Sequence, residues 1–322
     1  AHRRGRGRSR HGHPQRQGIH PRRDAGALIH VIYNPVAGPK SVRKVDRIRQ
    51  ALARSGRPFV VHETGGPGDA TLLAREAAAA GAEAVVAAGG DGTINEIANG
   101  LAGSDVPLLI VAHGTGNVFA RELSLPHGVE DCLALIASGR TITIPLARAE
   151  GRYFAIVASA GFDAEVVEQV RSSHKNRFGI AAYVLIGMRH FFRNQPSLWL
   201  EFPGRERMEA QAVVICRGRL YGGGVVMAPE GDLEGGGMHA IVLKKTGRMA
   251  LIGFVLNVLR GRHLASRNVI HRVTDSLWVR STIPSAAQID GEYLGPLPAR
   301  FEMTDRTLRI FVPEAYSSVL KR

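Results

Sequence analysis

Two cysteines in 322 residues, Cys132 and Cys216, leave no disulfide framework, and neither stands at metal-ligand spacing from the other. A reducing, cytoplasmic setting is the simple expectation. No run of 18 apolar residues occurs, so no segment is expected to span a bilayer. The common phosphate-binding signatures are missing too. There is no GxxxxGK[ST], which excludes a P-loop, and no Gly-x-Gly-x-x-Gly after the first strand, which excludes the ordinary dinucleotide fingerprint. The lysine and HRD-type loop of a protein kinase are absent as well. There is no internal repeat.

Acid is scarce: 28 Asp and Glu stand against 42 Lys and Arg, a net charge of +14. The excess is uneven. Residues 1–23 hold eight arginines and no acid, which leaves about +6 on the remainder. This segment, AHRRGRGRSRHGHPQRQGIHPRR, has a single Ile and cannot bury enough apolar surface to fold. Residues 1–26 are therefore expected to be a disordered basic tail, or an arm resting on anionic lipid or nucleic acid. No apolar stretch follows the arginines, so a signal peptide is not expected. No aromatic ladder or recognition module accompanies them, so nucleic acid is not an expected partner.

Apolar residues make up 44% of the chain, enough for two ordinary cores. Residues 28–33, 58–62, 83–88 and 107–111 read as strands. Helical spacing between them covers 41–55 (Val42, Val45, Ile48, Leu52), 70–80 with Asp69 as a cap, and 93–101. This alternation predicts a parallel sheet covered by helices on both faces, spanning 27–144. Beyond it, β-rich runs at 153–159, 197–202, 210–217, 238–243, 273–280, 299–303 and 308–312 are punctuated by Gly and Pro. They predict a β-rich domain over 145–312, interrupted by an apolar helical insert at 175–193 and a helical run near 247–259. Residues 313–322 would form a C-terminal tail packing back on the first domain.

Residues 85–96 read VVAAGGDGTINE. Gly89 and Gly90 allow backbone angles other residues resist and let a phosphate approach main-chain N–H groups. Asp91 stands where it could face a nucleotide hydroxyl or a metal, and Thr93 opens a helix whose N-terminus favours anions. Two further loops, Asn34-Pro35-Val36-Ala37-Gly38 and His113-Gly114-Thr115-Gly116-Asn117, also follow strands and would reach the same carboxyl edge. Ligands bind at that edge in such folds. Each loop is a weak signal by itself; three converging on one crevice predict a phosphate site.

These residues resemble the diacylglycerol kinase catalytic-domain family, in its bacterial lipid-kinase branch related to sphingosine and ceramide kinases. The resemblance covers roughly residues 28–315. GGDGT at 89–93 with Asn95-Glu96 is its signature, and Asn34-Pro35 with Gly38 looks like its opening turn. Gly114-Thr115-Gly116-Asn117 resembles its third nucleotide loop, and Thr64 its phosphate-touching threonine. The run 221–229, YGGGVVMAP, looks like its glycine-rich strand, and Asp290-Gly291-Glu292 matches its Asp-Gly-Glu. Val118 and His113 depart from it, where Asp and Pro are usual. Asp163 is similar to a residue shaping the acceptor side. NAD kinases are distant relatives that share GGDGT.

The resemblance implies a Rossmann-like α/β N-terminal domain, a β-sandwich C-terminal domain, and ATP with Mg²⁺ in the cleft. Asn34, Pro35, Gly38, Thr64, Gly89, Gly90, Asp91, Gly92, Thr93, Asn95, Glu96, Gly114, Thr115, Gly116 and Asn117 would hold nucleotide. Asp91 would hold its Mg²⁺. Asp290 would take the proton from the lipid hydroxyl, and Glu292 would orient it or a water. Lys40, Arg43 and Lys44 are candidates near the γ-phosphate. A structural Mg²⁺ is expected near 230–236, but Gly235 falls where its Asp would be. Either a neighbour, Asp232 or Glu234, substitutes, or that site is missing. The implied partners are a membrane lipid substrate and an anionic membrane met peripherally, at the inner face from the cytoplasm. A homodimer is left open, and the rival reading is a non-catalytic nucleotide- or lipid-binding module.

Overall fold

The computed structural model describes residues 28–36, 40–112, 116–161, 164, 197–244 and 248–318. Several sequence expectations lie outside the described residues: the tail 1–26, Gly38, His113, Gly114, Thr115, Asp163, the insert at 175–193 and residues 319–322.

The first half alternates strand and helix: β1 (Ile29–Tyr33), α1 (Lys40–Ser55), β2 (Phe59–Glu63), α2 (Asp69–Ala79), β3 (Ala84–Gly89), α3 (Asp91–Leu101), β4 (Leu108–Ala112). The four strands pair in parallel in the order β2-β1-β3-β4. Every residue of β3 is buried, as expected of a strand covered on both faces. α1 buries Val45, Ile48 and Leu52 but leaves Val42 52% exposed, so the apolar stripe is one residue shorter than the spacing predicts. Asp69 is the first residue of α2 and its carboxylate accepts the Gly65 amide at 2.8 Å; the cap position belongs to Gly68, at φ 90°. Two helices missing from the sequence expectation follow: α4 (Val118–Glu122) and α5 (Val129–Ser138), the latter ended by Gly139 at φ 69°.

The second half contains β5 (Thr141–Ala149), β6 (Arg152–Phe154), β7 (Val157–Gly161), β8 (Leu198–Glu201), β9 (Arg207–Cys216), β10 (Leu220–Tyr221), β11 (Val225–Val226) and β12 (Met238–Lys244). α6 (Arg248–Leu259), β13 (Val269–Thr274), β14 (Ser276–Ser281), β15 (Ala286–Ile289), β16 (Glu292–Pro296) and β17 (Ala299–Phe311) complete it. Pairings here are antiparallel. β9 is the hub, pairing with β7, β8 and β12. Its alternation separates two cores. Val213 and Ile215 face the core inside this half, while Val214 and Cys216 join the core shared with the first half.

Four expected runs come out differently: two divide and two merge. Residues 153–159 belong to β6 and β7, 273–280 to β13 and β14, and 299–303 with 308–312 to the single strand β17, irregular between Met303 and Thr307. β5 spans the division expected between 144 and 145, and pairs with β17 from Thr141↔Phe311 to Ala149↔Phe301. β17 also meets β4 at Ile310↔Leu108, so one hydrogen-bonded network runs through both halves. Residues 313–316 are tied to the end of α5 in the first half, while Ser318 reaches Asp232 in the second. The Arg140 guanidinium donates to the carbonyls of Pro313, Glu314 and Tyr316.

α2 and α3 approach closely because residue 100 is glycine: a Cβ there would stand 2.5 Å from the Thr71 carbonyl oxygen and 2.6 Å from the Ala74 Cβ. Gly100→Ala should therefore cost about 1–2 kcal/mol, overpacking outweighing the gain in helix propensity. Thermal unfolding should show a midpoint lowered by a few degrees; an unchanged or raised midpoint would mean the crossing relaxes freely.

Candidate active site

Strand register sets where the loops emerge. Tyr33 pairs with Glu63 on one side and Ala88 on the other, and Gly89 pairs with Ala112. The turns after all four strands therefore leave from one carboxyl edge. Asn34 follows Tyr33, Thr64 follows Glu63, Gly90 follows Gly89, and the loop ending at Gly116-Asn117 follows Ala112.

The glycine turn is built for close approach. A Cβ at Gly89 would collide with Thr93 at 2.6 Å, and one at Gly92 would collide with the Glu292 Oε1. A Cβ on Gly90 would meet nothing within 4 Å, so its backbone faces open space. The Asp91 carboxylate accepts the amides of Asn117 (3.0 Å) and Val118 (3.2 Å), tying this turn to the third loop at the start of α4. Gly116 is needed there, since a Cβ would stand 2.7 Å from Asp91 Oδ2. Burial lifts the Asp91 pKa above the ordinary carboxylate range; the Asn117 amide opposes that rise, and the Asp290 charge adds to it. Each Asp91 oxygen carries one of these amide bonds, leaving a second acceptor direction on each. Asn117 sits at φ 46°, and its buried Oδ1 has no hydrogen-bond partner among the described residues.

On the first loop, Asn34 Oδ1 accepts the Val36 amide at 2.9 Å, and the Asn34 carbonyl accepts the Ser41 hydroxyl at 2.8 Å. Pro35 is half-buried beside it. Thr64 is buried, its amide bonded to the Tyr33 carbonyl at 3.0 Å. Of the basic candidates, Lys44 is half-buried and donates to the Ala112 carbonyl, bracing α1 against the end of β4; burial lowers its pKa. Arg43 is exposed.

Asn95 and Glu96 do different work. Both Glu96 oxygens accept amides at the start of α2, from Gly68 (3.0 Å) and Ala70 (3.2 Å). That is capping of α2, and it ties α3 to the loop that follows β2. Asn95 Nδ2 donates to Asp290 Oδ2 at 2.8 Å and lies 3.3 Å from the Tyr153 carbonyl. Asn99, one turn on, pairs with the Tyr153 backbone through both ends of its amide. The signal for it was present in two asparagines four residues apart on an otherwise buried helix face.

Asp290 and Gly291 form the turn between β15 and β16, at φ 46° and 83°, as a two-residue hairpin requires. The Asp290 carboxylate accepts four bonds: Ile156 (3.1 Å) and Val157 (2.9 Å) amides on Oδ1, Ala155 (3.0 Å) and Asn95 on Oδ2. The residue touches solvent at the turn, but the carboxylate lies inside the protein. Desolvation raises its pKa even against these donors. Glu292 Oε2 pairs with Arg152 at 2.5 Å, while its Oε1 lies over Gly92. Arg152 was not foreseen; its partner lies 140 positions away.

A structural metal at Asp232 and Glu234 does not fit. Asp232 accepts the Glu234 amide at 3.0 Å and the Ser318 hydroxyl, and the Arg217 guanidinium occupies the carbonyl-lined interior of the loop. No group of three or more His, Cys, Asp or Glu suited to a metal occurs among the described residues.

A parallel sheet with glycine turns at its carboxyl edge, clasped by an acidic hairpin from a β-rich half, defines a two-domain phosphotransferase. Residues 28–149 match the diacylglycerol kinase catalytic domain, and 156–312 the YegS C-terminal NAD kinase beta sandwich-like domain. A diacylglycerol kinase of Bacillus subtilis (strain 168) is 32% identical over 292 residues, covering 88% of this chain and 96% of the relative. One from Staphylococcus aureus (strain MRSA252) is 29% identical over 290 residues, covering 88% and 91%. The fold matches a putative diacylglycerol kinase from Bacillus anthracis str. Sterne with a TM-score of 0.74 at 22% identity, covering 90% of this chain and 96% of that one. Yeast NADH kinase complexed with NADH matches at 0.50 and 10% identity, covering 89% and 84%. The chain belongs to the diacylglycerol kinase catalytic-domain family and is a lipid kinase.

The two hairpin acids should respond differently to loss of charge. Asp290→Asn turns an amide NH2 toward buried N–H donors and should cost about 2–3 kcal/mol. Glu292→Gln breaks only a partly exposed pair, worth about 0–1 kcal/mol. Thermal denaturation of both variants checks this, and equal midpoints would contradict the hydrogen-bond count at Asp290.

Proposed function

We propose that this protein transfers the γ-phosphoryl group of ATP to a lipid hydroxyl, with diacylglycerol as acceptor and phosphatidate as product. The observation that carries the reading is the clasp between the GGDGT turn and the Asp-Gly-Glu hairpin, made at Gly92 with Glu292 and at Asn95 with Asp290. In this reading the open glycine turn serves as a phosphate cradle, with the two carboxylates of the opposite half beside it. Bound Mg²⁺-ATP would supply the phosphoryl group, with the metal offsetting charge on the phosphate oxygens. The chain supplies the rest. Main-chain amides of residues 90–93 would hold phosphates, with Asn34 and Thr64 beside them. Asp91 keeps acceptor directions for the metal, and the unpartnered Asn117 Oδ1 suits a donor on the nucleotide.

In this reading Asp290 takes the proton from the lipid hydroxyl. All four of its acceptor positions are filled, so one donor must give way. Asn95 is the only side chain among the four. A second reading, in which Glu292 takes the proton, is favoured by the direction of its Oε1 toward the glycine turn. A pH profile separates them. The Asn95 bond lowers the Asp290 pKa, so Asn95→Ala should raise it further. The acid limb of kcat should then move to higher pH, because a base is lost as pH falls through its pKa. An unmoved limb would assign the proton to Glu292.

The lipid must be met at a surface. The apolar stripe expected at 175–193 lies outside the described residues, but α6 exposes another. Met249 (76% exposed), Ile252, Leu256 and Leu259 (70%) share one face, while Phe254 and Val258 pack on the core. Phe254 meets the His263 ring edge-on, and His263 Nε2 lies 2.7 Å from the Met227 carbonyl oxygen, holding the helix to the glycine-rich strand. Exposed Arg260, Arg262 and Arg267 follow, and the sequence holds no acid between Glu234 and Asp275. An apolar face ending in bare positive charge suits peripheral binding to anionic lipid. In this reading the enzyme would work from the cytoplasmic face of a membrane. No described helix is long and apolar enough to cross one.

The direct test is labelled ATP with purified protein and a lipid panel; product with sphingoid base or ceramide but none with diacylglycerol would refute the acceptor. For the surface, Ile252→Glu with Leu259→Glu should reduce binding to phosphatidylglycerol vesicles at least ~10-fold, with turnover of detergent-dispersed lipid preserved. Undiminished vesicle binding would remove α6 from the reading.

A further inference from the structure

At the end of β9 the chain turns inward and carries Arg217 with it. The residue is 1% exposed. Its Nη1 donates to the Gly237 carbonyl. Its Nη2 lies among three more carbonyl oxygens, those of Gly235 (2.9 Å), Leu233 (3.1 Å) and Pro145 (3.1 Å). Three of the four come from alternate residues of one short loop, and the fourth from β5. Main-chain oxygens crowded around one point repel each other unless a cation stands between them, and such crowding is how proteins build sites for hard metal ions. Here the centre is filled by a planar cation with five N–H donors, less strongly hydrated than an ammonium and suited to burial.

Burial lowers the Arg217 pKa to about 10, and the Asp232 carboxylate works against that fall. The group is still a cation at neutral pH. Asp232 holds the loop from outside, accepting the Glu234 amide and the Ser318 hydroxyl. Gly235 belongs to the same design. A Cβ there would stand 3.3 Å from the Asp232 carbonyl oxygen, so a larger side chain at 235 would crowd the turn that aims its own carbonyl at Arg217.

We infer that Arg217 supplies, from within the chain, the cation around which residues 232–237 are wound, so that this loop keeps its shape without a divalent metal. The inference goes beyond the lipid-kinase reading and does not depend on the acceptor. Divalent metal is then required with nucleotide only.

The test uses the full chain without nucleotide, dialysed against EDTA. Metal analysis should find well under one divalent ion per chain, and EDTA, Mg²⁺, Mn²⁺ or Ca²⁺ should leave the thermal midpoint unchanged. Arg217→Met should lower the midpoint by several degrees, and millimolar methylguanidinium should restore part of the loss to that variant alone. Arg217→Lys, with charge but a different donor geometry, should fall between. One ion per wild-type chain, or a wild-type midpoint lowered by EDTA and restored by Mg²⁺, would overturn the inference. So would an Arg217→Met protein as stable as wild type. If that variant does not fold, the wild-type metal measurements decide by themselves.

Discussion

The Asp290 carboxylate is the point at which the two halves are fastened at the site. Three of its four hydrogen bonds go to consecutive amides leading into β7, and the fourth to Asn95 on α3. A buried carboxylate is costly to desolvate, and only this density of donors makes the position tenable. The hairpin, the strand beside it and the helix behind the glycine turn are therefore fixed by one group. Glu292 follows from it: once Asp290 and Gly291 adopt left-handed angles, the next residue is delivered over Gly92.

A parallel layer does for the nucleotide edge what that hairpin does for the acceptor side. Register between β2, β1, β3 and β4 brings four turns to one rim. Side chains then bind the turns to one another. Asp91 joins the turn after β3 to the turn after β4, Lys44 joins α1 to the end of β4, and Ser41 steadies the turn after β1. Few of these groups have capacity to spare, so the rim is held mainly by interactions internal to the protein. The open backbone at Gly90 and the unsatisfied Asn117 oxygen are the places where a ligand would add bonds rather than exchange them.

Much of this was legible because its causes are local. A glycine pair after an apolar run, Asn-Pro after another, and Asp-Gly between two strand-like segments each encode a turn within a few residues. Their convergence was also legible, since parallel strands must end at a common edge. What stayed hidden depends on distance along the chain. Glu96 reads as part of a nucleotide signature, yet it caps α2, whose first amides lie 28 and 26 positions away. Arg152 and Arg217 look like surface arginines in sequence, because a carboxylate 140 positions off and a ring of carbonyls leave no local trace. α4 and α5 escaped notice because short helices carry too few turns for periodicity to stand out, although Gly139 marks the end of one.

β5 and β17 run side by side from one half of the molecule into the other, joined from Thr141↔Phe311 to Ala149↔Phe301. A covalent linker can flex at little cost, but a two-stranded girder cannot be bent sharply without breaking rungs. The cleft between the halves is thus braced against opening like a jaw. Traffic in and out of it must be managed by the small parts along the rim.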